Sequence, residues 1–154
     1  MADIVVNLED IIEGLEFQSN EIRAFLDLRT GEVVSITDEE FRAAEDEVPI
    51  EKFPAWQRDN IRIAGEILEE DYFISLPSQF DINEYNIMEE FCLEIKNDNI
   101  SNTLYNSIKG REAFRRFKDK IKRFGIEEEW YRYRDEAIKR IAIEWCEENG
   151  ITYK

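Results

Sequence analysis

The residues predict an α+β protein: a small antiparallel sheet near the N-terminus packed by helices, followed by a helical C-terminal half. Three observations lead there. The stretch AFLDLRTGEVVSI alternates at strand period around a Thr30-Gly31 break. From Ile82 onward apolar side chains recur at helical spacing, and no repeat or low-complexity segment interrupts the pattern. With 154 residues, 43% of them hydrophobic, the chain fits a single domain over residues 1–154. A chain of that size buries roughly two thirds of its unfolded surface.

Asn7 is placed to cap a first helix, with Asp10 in its first turn and Leu8, Ile11, Ile12 and Leu15 on one face to about Gln18. The hairpin follows, with Gly31 supplying positive φ for a three-residue loop and a bulge. Thr37 to Glu40 matches the capping box, predicting a brief helix through Phe41. Residues 45–54, EDEVPIEKFP, read as an irregular acidic connection. Pro54 suits a first helical turn, and Trp56, Ile63, Ile67 and Leu68 form the apolar stripe of the helix after it. Tyr72 to Leu76 has strand character and is stopped by Pro77. The later helices present Tyr85, Met88, Phe91, Cys92 and Ile95, then Ile100, Leu104 and Ile108, then Phe114, Phe117, Ile121 and Phe124. A last helix runs from about Ile126 to Glu148, with Gly150 as its stop signal.

Histidine is absent from the sequence. That removes Ser-His-Asp and Cys-His machinery and imidazole acid–base work near neutral pH. Cys92 and Cys146 lie far apart within periodic apolar patterns, which predicts reduced core thiols. No glycine-rich phosphate loop or calcium loop is present, and the carboxylate runs Glu69-Glu70-Asp71, Glu89-Glu90 and Glu127-Glu128-Glu129 read as solvated faces. No cofactor is expected. Neither a membrane-spanning apolar run nor a signal-peptide pattern is evident, so the expected location is the cytoplasm.

Charge is distributed unevenly. Residues 1–108 hold 7 basic and 26 acidic side chains, net −19; residues 109–154 hold 13 and 10, net +3, giving the overall −16. The cations concentrate in Lys109 to Phe124, KGREAFRRFKDKIKRF. On a helical wheel Phe117, Ile121 and Phe124 take one side, while Glu112–Arg116 and Asp119–Arg123 form favourable i,i+4 pairs. Arg111, Arg115, Lys118 and Lys122 fall on an edge of their own at i, i+4, i+7 and i+11. An anion-binding edge follows, with Lys109, Gly110 and Arg111 at the helix opening, where free N–H groups attract phosphate or carboxylate. Two structural readings compete: the edge meets acidic residues of the same chain, and Gly110 ends the preceding helix. Arg134 falls within the apolar stripe of the last helix, so it needs a facing carboxylate or carbonyl, or opens a polar pocket.

The words LDLRTGEV, YFISLPSQF, GREAFRRFKDKI, EEWYRYRDE and AIEWCEENGI, in that order, resemble the bacterial uncharacterised protein family 0158. The resemblance implies a small cytosolic bacterial protein. It assigns no activity and no catalytic residues, though Arg115, Arg116, Arg134 and Asp135 lie in its characteristic words.

Three functional readings follow. The first is a non-enzymatic binding or regulatory module whose basic C-terminal helices engage an acidic protein patch or a phosphorylated ligand. A protein partner is favoured, because the net charge repels nucleic acid. The second makes the acidic N-terminal half a docking surface or nucleic-acid mimic, with Glu45, Asp46 and Glu47 as its test residues. The third is an enzyme using a carboxylate-bound divalent cation.

Overall fold

A computed structural model describes residues 4–154, which form two compact units. The first comprises the chain up to Ile82 together with Ile141–Lys154; the second is Asn83–Arg140.

In the first unit β2 (Ile22–Asp27) and β3 (Val33–Thr37) form the expected hairpin, and β4 (Phe73–Ser75) pairs antiparallel on the other side of β2, giving the order β3-β2-β4. The turn differs from the expected three residues. Asp27 N–H donates to the Glu32 carbonyl at 2.9 Å and the Asp27 carbonyl accepts from Gly31 N–H at 2.8 Å, so Leu28 to Gly31 lie inside the closing pair. Gly31 does carry the positive φ, +80°.

Helix α1 (Leu8–Phe17) starts at Asn7, whose side chain accepts from Glu9 N–H at 2.9 Å. Its Gly14 lies so close to Val33 and Ala24 that an added Cβ would meet Val33 Cγ1 at 2.8 Å. Gln18 ends the helix buried, donating to the Pro77 carbonyl at 2.7 Å and accepting from Ala24 N–H at 3.1 Å. The capping box of α2 (Asp38–Glu45) forms as expected, with Glu40 buried and accepting from Thr37 N–H at 2.8 Å. This helix runs past Phe41 because Ala43 and Ala44 extend the buried face.

Beyond it, Ile50–Lys52 form one 3-10 turn within the acidic connection. Pro54 takes the N-cap position of α3 (Ala55–Glu69). The buried stripe of α3 is Gln57, Ile61 and Ala64, with Ile63 and Ile67 half-buried at its side. Trp56 lies outside it at 76% exposure, one residue away from the stripe, whereas Leu68 is in phase with the stripe but 48% exposed in the last turn of the helix. Phe25, Ile36, Phe41 and Ala64 form the core between sheet and helices, with Phe25 edge-on to Phe41. Short α4 (Gln79–Ile82) closes this part of the chain.

At the end of the chain Gly150, with φ +65°, stops α8 (Glu127–Glu148). Thr152–Tyr153 then forms β5, parallel to β1 (Val5–Val6). This two-stranded pairing has no periodic signature, since two residues hold only one alternation.

The second unit contains α5 (Glu84–Glu94), α6 (Asp98–Ser107), α7 (Ala113–Arg123) and the first part of α8. Phe91, Phe117 and Trp130 meet edge-to-face at centroid separations of 4.8–6.0 Å. Met88, Cys92, Leu104, Ile108 and Ile121 complete the core. Phe114 is 39% exposed instead of buried: the core series on α7 is Ala113, Phe117, Ile121, and Phe114 is one residue out of phase with it. Both cysteines are buried and free.

Candidate functional site

Helix α7 separates its side chains by chemistry. Ala113, Phe117 and Ile121 are buried, whereas Arg115, Lys118, Lys122 and Arg123 are exposed. The helix begins four residues later than the basic run does. Glu112 is its N-cap residue, in a left-handed conformation (φ +58°) and with no side-chain capping bond. Lys109, Gly110 and Arg111 therefore form the connection from α6, and Arg111 does not share the helical register of Arg115.

That connection is organised around a cation. Arg116 Nε donates to the Ser107 carbonyl at 2.7 Å, Nη2 to the Lys109 carbonyl at 2.6 Å, and Nη1 to the Arg111 carbonyl. These carbonyls lie at and just beyond the C-terminus of α6, where helix acceptors lack internal partners and the dipole favours positive charge. Gly110, with φ +87°, supplies the backbone bend between two of the acceptors. The segment expected to greet an anion with N–H groups thus turns carbonyls onto Arg116. Gly110 lies beyond the α6 C-cap Ile108, close to the helix-ending reading.

The expected pairs on α7 are rearranged too. Glu112 contacts Arg115 at 3.6 Å, both side chains well exposed, while Arg116 is taken by carbonyls. Asp119 and Arg123 form no ion pair among the described residues. Neither do Arg111, Lys118 or Lys122. Lys109 stands over the Tyr105 ring, 4.9 Å from its centroid. Lys120, Lys122 and Arg123 sit in the last turn of α7, where they also complement the helix dipole.

Arg134 has the carboxylate its position called for. Its guanidinium donates through Nε to Glu84 at 3.0 Å and again through Nη2, and lies 3.9 Å from Asp135. Glu84 opens α5 after the N-cap Asn83, so this pair ties α8 to the start of α5. An external anion at Arg134 would have to displace Glu84.

The whole sequence, residues 1–154, matches the family described as Uncharacterised protein family (UPF0158). The chain belongs to that family. A Pseudomonas aeruginosa protein, UPF0158 protein PA5073, is 30% identical to this UPF0158 chain over 66 residues. The matched stretch covers 42% of this chain and 43% of that protein's length. No solved structure matches the chain.

Burial pushes the Cys92 thiol up to about 11, so it is not a thiolate at neutral pH. Among the described residues no three Cys, Asp or Glu side chains converge as a metal site. A cleft of about 340 Å³ in the second unit is lined by Phe91, Glu94, Ile95, Ile126, Glu129 and Tyr133. Burial and the Glu94 carboxylate that its hydroxyl meets push Tyr133 up to about 12, so it stays a neutral donor. Sequence reasoning missed this Tyr133–Glu94 pairing across 39 positions, and no local spacing signals it. It also missed the role of Arg116, although an arginine shortly after a helix-ending glycine is a readable cue.

Proposed function

We propose that this UPF0158 chain is a non-enzymatic cytoplasmic binding module that uses the basic flank of α7 to engage an acidic patch on a partner protein. The supporting observation is that Arg111, Lys118 and Lys122 have no carboxylate partner among the described residues, in a chain with 36 acidic side chains. Arg115 adds a fourth cation, because a mutual contact as exposed as that with Glu112 holds it only weakly. From Arg115 to Lys122 the helical rise spreads charge over roughly 10 Å, which suits several carboxylates in a row better than one phosphate. Buried reduced thiols and the absence, among the described residues, of a helix long and apolar enough to cross a membrane fit the cytoplasmic setting.

The test is fluorescence anisotropy with a labelled glutamate-rich peptide against the native chain and a Lys118→Glu/Lys122→Glu variant. The native chain should bind with an affinity that falls as salt rises, and the variant should bind at least about tenfold more weakly. Equal affinity in the two proteins would refute the assignment.

A further inference from the structure

The first unit has a sheet edge that no described residue pairs with. Because Asp27 bonds to Glu32, and hydrogen-bonded pairs alternate along an antiparallel ladder, Phe25–Val34 and Arg23–Ile36 are the remaining bonded pairs. Val33, Ser35 and Thr37 therefore turn their backbone groups away from β2. Thr37 N–H is occupied by Glu40. Among the described residues, no backbone or side-chain group bonds to the outward N–H or C=O of Val33 and Ser35.

The two edges of the sheet are treated differently. Strand β4 has three residues and is followed at once by Leu76-Pro77, whereas β3 has five, with no proline or lysine to blunt it. Beside β3 lies a groove of about 430 Å³, lined by Asp10, Glu13, Gly14 and Phe17 of α1 and by Glu32, Val33 and Ser35. Phe17 is 62% exposed at this groove. None of Asp10, Glu13 and Glu32 takes part in an ion pair among the described residues.

We propose that the outer edge of β3 accepts an extended, positively charged strand of another protein, adding a fourth strand to the sheet. Main-chain bonds to Val33 and Ser35 would give register, and alternate Lys or Arg side chains would reach Asp10 and Glu13 while their methylene stems cover Phe17. Charge selects this occupant. A second copy presenting the same edge would set Glu32 and its acidic neighbours against their own counterparts, which the open ladder cannot offset.

The experiment uses the full chain and an acetylated, amidated ten-residue peptide of alternating Lys and Val. Amide exchange should slow at Val33 and Ser35 when the peptide is present. Peptides N-methylated at every second residue, in each of the two registers, separate strand pairing from simple charge attraction: one register should bind at least about tenfold more weakly, since several net hydrogen bonds are lost. Asp10→Lys/Glu13→Lys, which alters only exposed side chains, should weaken the unmodified peptide by a similar factor. The proposal is overturned by equal binding of both N-methylated registers, by protection elsewhere than β3, by an unaffected double variant, or by dimerisation of the chain through this edge. These readouts involve no residue of α7, so they stand or fall independently of the acidic-partner reading.

Discussion

Arg29 in the hairpin and the cations of α7 show two uses of positive charge in one acidic chain. Arg29 is held by several partners: Nε and Nη2 donate to the two Asp27 oxygens at 3.1 and 3.0 Å, Glu66 lies at 3.5 Å, and the guanidinium lies 3.7 Å from the Tyr72 ring centroid. Arg62 likewise meets Asp59 and Glu66 on α3. On α7, Lys118 and Lys122 are exposed, with no carboxylate taking them among the described residues. The difference teaches that an abundance of carboxylates does not by itself pair every cation. Arg29 and Arg62 are paired because a sheet turn and a helix spacing place donor and acceptor together, whereas on α7 the i,i+4 spacing of Asp119 and Arg123 yields no ion pair among the described residues, so spacing alone does not commit a cation.

The largest expected effect separates the two faces of α7. Phe117 is wholly buried against Phe91 and Trp130, so Phe117→Ala should destabilise by about 3 to 5 kcal/mol, whereas Lys118→Ala should change stability by less than about 0.5 kcal/mol. Urea denaturation of both variants checks this. A costly Lys118→Ala would mean that the flank is part of the fold, and the contrast with Arg29 would disappear.

A smaller effect probes the other side of the comparison through pH. Burial pushes the Asp27 carboxyl up, but the Arg29 side chain and the backbone N–H groups of Arg29 and Thr30 outweigh it and hold the group below its ordinary 3.8. A depressed folded value gives stability that is complete above 3.8 and is lost as pH falls through the lower folded value. Asp27→Asn should therefore be less stable than the native chain at neutral pH and flatten the acid limb of a plot of denaturation midpoint against pH. An unchanged acid limb would show that Asp27 is not the carboxylate that Arg29 holds.

Much of the fold was legible because its signals are local. The Asn7 cap, the Thr37–Glu40 box, the Gly31 turn and the Gly150 stop each lie within a few residues of the structure they set. What escaped was either out of phase by one helical residue, as at Trp56 and Phe114, or joined over long separations. The β1–β5 pairing, the Tyr133–Glu94 contact and the open edge of β3 all depend on which elements meet, and composition cannot state that. The candidate site was half legible: the exposed cations of α7 lie where periodicity put them, but the role of Lys109 to Arg111 was inverted, because the carbonyls of that connection turn toward Arg116.

The contrast between committed and available cations is tested most directly by hydrogen exchange at arginine Nε–H groups, followed by NMR on the intact chain. Arg29, Arg116 and Arg134 donate through Nε to Asp27, Ser107 and Glu84, and their exchange should be slow; Arg111, Arg115 and Arg123 should exchange at the rate of free arginine. Slow exchange at Arg111, Arg115 and Arg123 would contradict the account, because it would place those side chains in bonds already satisfied within the molecule.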